Sequence, residues 1–280
     1  MRITTRNATF QQWQALLSNR TKRQRAREFL VQGVRPINLA IQHGWPIRAL
    51  LYDASARLSS WATQTLDSVQ TKRVAMAPEL LAELGEKEEL ELLAVVELPA
   101  DELARIPVGP RLLVVLFDRP SSPGNLGTLI RSADAFGAAG VVVAGHAADP
   151  YDPRAVRAST GSLFAVPTVR VPGPDPVLAW LADLRERGIA VRVAGTDEHG
   201  STELAGFDFT GPTLLLVGNE TTGLSAAWRA ASDALLRIPI TGAASSLNAA
   251  TAGSIALYEA ARQRAAAGVA LATEGSSRPR

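Results

Sequence analysis

LLLVGNETTGLS, residues 214–225, is the stretch from which the fold can be read. Leu214 to Val217 is a short, wholly apolar run of the kind that forms a strand buried on both faces, and it stops abruptly at Gly218, Asn219 and Glu220. The chain therefore leaves a sheet through a polar loop bounded by Gly218 and Gly223, residues that permit close backbone approach to a ligand. In open α/β sheets ligands sit just beyond the carboxyl ends of strands. Taken alone, the stretch also fits an ordinary strand-to-helix connection, with Glu220 solvated and Leu224 the first core residue of the next helix.

The segments upstream repeat the pattern. RLLVVLFDRPSSPGNLGTLIRSADAFGAAGVVVAG, 111–145, reads as strand, loop, helix and strand. Its loop has Gly124 and Gly127 but no G-x-G-x-x-G, which makes a nicotinamide or flavin site a weak reading. Arg131 is expected in the first turns of the helix, whose apolar side is Leu129, Ile130, Ala133 and Phe136. It either pairs with Asp134 or is held at the carboxyl edge of the sheet beside Asn125. In HAADPYDPRAVRASTGSLFAVPTVRV, 146–171, Arg154 and Arg157 lie on a short predicted helix and read as phosphate contacts. A helix at 176–187 and a strand at 189–195 follow, with His199 in a loop where it carries no particular meaning. Strands alternating with helices predict a parallel sheet with crossover helices.

The N-terminal part differs in charge. Residues 1–78 hold twelve Lys or Arg against three acids, a balance of +9, and residues 79–102 hold nine acids against Lys87, a balance of −8. NRTKRQRAREFLVQG, 19–33, packs Arg20, Lys22, Arg23, Arg25 and Arg27 together, a density suited to phosphate contacts on RNA or DNA. Helices at 34–43 and 58–70, strands at 47–53, 73–76 and 92–98, and a helix starting at Pro78 predict a small α/β domain. PVGP, 107–110, marks a linker. The expected organisation is an RNA-binding domain over 1–107, a second domain over 111–265, and a frayed tail over 266–280.

Composition limits the chemistry. Of 280 residues 46% are hydrophobic and 20% charged, and none is cysteine, which excludes disulfides, cysteine-ligated zinc and a thiol nucleophile, including methylation of a pyrimidine C5 through a cysteine adduct. Only Lys22, Lys72 and Lys87 are lysines, a bias toward arginine that fits a GC-rich bacterial genome. MRITTRNATF has no apolar signal core and no run reaches membrane-spanning length, so cytoplasm is the default and no membrane partner is expected.

The third stretch, LLRIPITGAASSLNAATAGSIALYEAARQRA, 235–265, has Ile238, Pro239 and Ile240 closing a strand, then a small-residue loop, then Ser245, Ser246, Leu247 and Asn248 opening a helix. Ser and Asn there also serve as helix caps. With this stretch in place, GNLGTLIRSADAFG (124–137), LLLVGNETTGLS (214–225) and IPITGAASSLNAATAGSIALYE (238–259) resemble, in order and spacing, the three motifs of the SpoU/TrmH methyltransferases of the SPOUT superfamily. The resemblance covers 111–265, and the N-terminal part is similar to the small substrate-binding domain of ribosomal-protein type found on rRNA-acting members.

That resemblance implies an α/β fold whose parallel sheet ends in a deep trefoil knot, with S-adenosylmethionine cradled by Gly218, Ile238 and Leu247 and with Thr196 and Ile240 nearby. It implies a homodimer, no metal, and methyl transfer to a ribose 2′-oxygen of 23S rRNA, which in actinomycetes includes enzymes of antibiotic self-resistance. Arg131 matches the family's catalytic arginine. A guanidinium is a poor base because its pKa exceeds about 12, so orienting the target phosphate and stabilising the developing alkoxide is the expected role. Asn125, Glu220 and Asn248 match positions that place Arg131 and the ribose. A tRNA 2′-O-methyltransferase and a non-catalytic ribosome-assembly factor are the alternatives.

Overall fold

Capping and periodicity set the N-terminal elements. The computed structural model describes residues 1–86 and 90–268, so the expected tail lies outside the described residues from 269 onward. Strand β1 is Arg2–Ile3, followed by helices α1 (Ala8–Ser18) and α2 (Arg20–Ala26). Asn7 and Asn19 cap these helices through their side chains, accepting from the Phe10 and Lys22 N–H groups. Then come β2 (Glu28–Gln32), α3 (Val34–Gln42), β3 (Ile47–Asp53), α4 (Ser60–Ser68), β4 (Lys72–Met76), α5 (Pro78–Gly85, with its proline in the first turn) and β5 (Leu92–Glu97). The five strands form one mixed sheet in the order β1-β4-β3-β5-β2. Ile3, Phe10, Leu51, Val74, Met76 and Leu81 are among the residues of its core.

The second sheet is built from β6 (Leu113–Asp118), β7 (Gly140–Ala144), β8 (Thr168–Val171), β9 (Arg192–Thr196), β10 (Thr202–Glu203), β11 (Thr213–Val217) and β12 (Ala234–Arg237). The order is β10-β12-β9-β11-β6-β7-β8 and every pairing is parallel. The helices between and after the strands are α6 (Pro123–Ala135), α7 (Pro153–Ser159), α8 (Ser162–Ala165), α9 (Asp175–Glu186), α10 (Ala226–Ala231) and α11 (Ala249–Ala266). Every residue of β6, β7 and β11 is buried, as the apolar run at 214–217 predicts for a sheet covered on both faces. Parallel register brings the carboxyl ends of β6, β9 and β11 side by side, at Asp118, Thr196 and Val217.

Two boundaries differ from expectation. Strand β12 ends at Arg237, so Ile238, Pro239 and Ile240 belong to the following loop, where the missing proline N–H does not break a ladder. Helix α11 starts at Ala249, with Asn248 as its cap, so Ser245, Ser246 and Leu247 precede the helix.

The compact units also depart from a split at 107–110. One comprises Met1–Ala100 together with Asp149–Ala165, the other Asp101–Ala148 with the residues from Val166 onward. Aromatic packing accounts for the reassignment of 149–165. Phe29 of β2 meets Tyr151 at 4.9 Å and Phe164 at 6.1 Å between ring centroids, Trp45 meets Phe164 edge-on at 5.1 Å, and the Trp45 indole N–H donates to the Phe164 carbonyl at 3.0 Å.

In the second unit α11 packs on α6 and β11. Near its far end Arg264, 4% exposed, donates to the carbonyls of Phe209, Arg111, Leu112 and Gly211 at 2.7–3.2 Å. Burial pulls the Arg264 pKa below its usual value, and the neighbouring Arg111 adds to the effect.

Candidate active site

Each of the three sequence stretches supplies a loop at the carboxyl edge of the parallel sheet. After β11 the chain makes a tight hairpin in which Asn219 and Gly223 exchange backbone hydrogen bonds of 3.0 and 3.1 Å. Asn219 Oδ1 accepts from the Thr221 and Thr222 N–H groups at 2.9 and 3.0 Å. Gly223 has φ +64°, and a Cβ on Gly218 would lie 2.5 Å from the Gly223 carbonyl carbon. Both glycines of the stretch are therefore required by backbone geometry.

Glu220, projecting from this hairpin, joins the stretches together. Its carboxylate accepts from the Ser121 N–H and Oγ at 2.9 Å each, from the Ser122 N–H at 3.1 Å and from Asn125 Nδ2 at 3.0 Å. Asn125 Oδ1 in turn accepts from Asn248 Nδ2 at 3.1 Å, and Asn248 Oδ1 caps α11 by accepting from the Thr251 N–H at 3.1 Å. Partial burial acts to raise the Glu220 pKa, but the hydrogen bonds from Ser121, Asn125 and Ser122 outweigh it and hold the group below its ordinary value. An ionised carboxylate with its lone pairs committed is a structural anion and a poor proton acceptor.

Beside this chain of hydrogen bonds lies a cavity of about 270 Å³, near the lower end for small-molecule sites. All five residues expected around a methyl donor, Thr196, Gly218, Ile238, Ile240 and Leu247, line it. Val217, Leu236 and Ala252 extend the apolar wall. The charged lining is Asp197, Glu198 and Glu220 against Arg229, a negative excess suited to a ligand with an apolar body and a positive charge. Asp197 and Arg229 form an ion pair, and the Thr196 hydroxyl donates to the Leu216 carbonyl at 3.1 Å. Asp197 and Arg229, along with Ser121 and Ser122, carry no signal of their own in the sequence, because their roles depend on contacts with distant loops.

Comparison with known proteins fits this geometry. Residues 112–258 match the SpoU rRNA Methylase family. The chain belongs to that family. Residues 7–94 match its accompanying SpoU L30e-like domain. A 23S rRNA (uridine(2479)-2'-O)-methyltransferase of Streptomyces viridochromogenes is 62% identical over 265 residues, which span 94% of this chain and 92% of the relative. The crystal structure of the SpoU methyltransferase AviRb from the same organism, in complex with the cofactor AdoMet, superimposes with a TM-score of 0.90 at 62% identity, covering 93% of this chain and 99% of that one. An AdoMet-bound rRNA methyltransferase from Sinorhizobium meliloti gives a TM-score of 0.82 at 30% identity, covering 94% and 97%.

The arginines of this SpoU chain divide by environment. Arg131 sits in the third turn of α6, deeper in the helix than expected, about 9 Å along the axis from Asn125. It is exposed, and among the described residues it makes no hydrogen bond or ion pair, so it does not join the Asn125 chain within one subunit and does not pair with Asp134. In the N-terminal unit Arg20, Arg25 and Arg27 are exposed, Arg27 donating to the Leu98 carbonyl at 3.0 Å. Arg154 is exposed beside Asp152, and Arg157 pairs with Glu86 at 2.7 Å. Arg23 is a correction: it is 2% exposed, donates to Asp149 at 2.8 Å and to the Leu16 carbonyl at 2.5 Å, and cannot reach a phosphate. Among the described residues no cluster of His, Cys, Asp and Glu could hold a metal ion, and no helix is long and apolar enough to cross a membrane.

Proposed function

We propose that this chain transfers a methyl group from S-adenosylmethionine to the ribose 2′-oxygen of a uridine in 23S rRNA. The observation that carries the reading is the hydrogen-bonded chain Glu220–Asn125–Asn248, which ties the three motif loops together at the rim of the cavity. The likeness to the Streptomyces viridochromogenes enzyme over nearly its whole length supports the substrate class.

The cavity suits the donor, since apolar walls can cover the faces of an adenine and the acidic excess favours a sulfonium over its neutral product. When bound, the cofactor supplies an electrophilic methyl. Gly218, Ile238 and Leu247 would hold its adenosine part, with Thr196 and Ile240 at the edge. Asn125 and Asn248 fix the edge of the site toward the ribose, and Glu220 keeps both in place. Arg131 orients the target phosphate and stabilises the developing alkoxide while an oxygen of that phosphate takes the proton that the 2′-hydroxyl gives up. Its exposure fits a homodimer in which one subunit's Arg131 approaches the other's cavity. The same reading places the enzyme in the cytoplasm, assigns RNA contacts to Arg20, Arg25, Arg27, Arg154 and Arg157, gives the loops at 218–225 and 238–248 the knotted passage of the superfamily, and includes protection of the ribosome from an antibiotic.

Transfer of tritiated methyl from S-adenosylmethionine to 23S rRNA, with tRNA in parallel and mapping of alkali-resistant linkages, tests it. One labelled 2′-O position in 23S rRNA is expected, and label on tRNA alone refutes the substrate. Arg131→Ala is expected to bind the cofactor and lose transfer; near-normal transfer refutes its role. Unchanged drug susceptibility on heterologous expression refutes the resistance role alone.

A further inference from the structure

The sharp bend between β6 and α6 is held by a residue in an uncommon conformation. Arg119 has φ +52°, in the left-handed region, although it carries a side chain and precedes Pro120. Both facts disfavour that backbone state, and such residues persist where the surroundings over-determine them, most often at functional sites. The Arg119 N–H donates to the Ala144 carbonyl at 2.9 Å, and its own carbonyl accepts from Asn219 Nδ2 at 2.6 Å.

The side chain is held as firmly. Nε and Nη2 of Arg119 make a fork with both oxygens of Asp118 at 3.1 Å each, and Asp118 is 2% exposed. Arg119 Nη2 also donates to the Gly223 carbonyl at 3.0 Å, while Asp118 Oδ2 accepts from the Ser225 N–H at 2.7 Å. The pair therefore grips the 219–223 hairpin at three points: through Asn219 at its start, through Gly223 at its end, and through Ser225 just beyond. That hairpin forms one wall of the cavity.

We infer that Arg119, seated on Asp118, is a positioning residue that fixes the 219–223 hairpin in the shape that receives the methyl donor. The inference rests on reading the cavity as the S-adenosylmethionine site. A guanidinium suits the task because one planar group serves the buried carboxylate and the Gly223 carbonyl together, which an ammonium cannot do with the same rigidity. Without the grip the hairpin keeps its own two backbone hydrogen bonds but loses its fixed position over the cavity, so the free energy of donor binding is spent on ordering it.

Calorimetric binding of S-adenosylmethionine and steady-state methyl transfer on full-length protein provide the test. In Arg119→Lys the dissociation constant and KM for S-adenosylmethionine are expected to rise about tenfold, the cost of one charge-assisted hydrogen bond, with kcat at saturating donor within about threefold and KM for RNA unchanged. The double variant Asp118→Asn/Arg119→Gly leaves no unpaired buried charge and places glycine where φ is positive, so it keeps the fold and is expected to show a larger loss of donor affinity. A variant that binds the donor as tightly as the unaltered protein overturns the inference, as does an equal fall in kcat and thermal stability with KM unchanged, the pattern of a merely structural residue. Failure of the unaltered protein to bind S-adenosylmethionine overturns the reading of the cavity, and the inference with it.

Discussion

Glu220→Gln preserves shape and removes one charge, and the hydrogen-bond pattern sets its cost. The two backbone N–H groups fall on different oxygens, Ser121 on Oε2 and Ser122 on Oε1. Whichever way a glutamine amide is turned, one of these donors faces an NH2 group. A buried donor left unsatisfied costs about 1–3 kcal/mol, and partial exposure of Glu220 reduces this to about 1–2 kcal/mol. For a unit of this size that corresponds to a fall of roughly 2–8 °C in the unfolding transition of the parallel-sheet unit at pH 7. The pH dependence gives a sharper check. Because the folded Glu220 pKa is lowered from 4.5, its stabilisation is fully present above that value and is lost as pH falls through the lower, folded value. Differential scanning calorimetry of both proteins from pH 7 to pH 3 should show a difference that is constant down to about pH 4.5 and narrows below it. A difference independent of pH, or none at pH 7, would refute the assignment of Glu220 as an ionised anchor. Methyl transfer should fall as well, since a neutral amide holds Asn125 less firmly than the carboxylate does.

Three further outcomes are expected. Arg264→Ala strands four carbonyls around a lost cation and should destabilise the protein by about 3–5 kcal/mol in urea titration, with Arg264→Lys recovering only part of it. Gly218→Ala sets a Cβ against the backbone of Gly223 and Leu224, which cannot yield without opening the hairpin, so S-adenosylmethionine binding measured by calorimetry should be abolished while far-UV circular dichroism is kept. Arg23→Ala and Arg25→Ala should separate cleanly: the first breaks a buried ion pair and lowers stability by about 3–5 kcal/mol, the second leaves stability unchanged and lowers the salt dependence of RNA binding by about one unit of slope.

How far the sequence reveals all this depends on the range of the interactions. The apolar run at 214–217, the start of α5 at Pro78 and the alternation of strands and helices are local signals, and the elements stand close to where they are expected. The five residues around the cavity come from the resemblance of the three stretches to the SpoU motifs, not from composition or spacing, and all five line the same cavity. Arg23 was not, because its charge matches its neighbours and its partner Asp149 lies 126 positions away. Nor was the role of Arg119, since neither its left-handed backbone nor its reach to Gly223 leaves a mark in a single sequence.

The placement of 149–165 bears on how such an enzyme can be rebuilt. A chain that passes between its two compact units three times, at residues 100, 148 and 165, is not a pair of beads on a string. Grafting residues 1–100 onto another catalytic module would leave Phe29 and Trp45 without their aromatic partners and Arg23 without its counter-charge. A chimera meant to redirect this enzyme to another RNA must carry the 17-residue excursion along with the N-terminal unit, cut at two internal joints as well as one terminal joint.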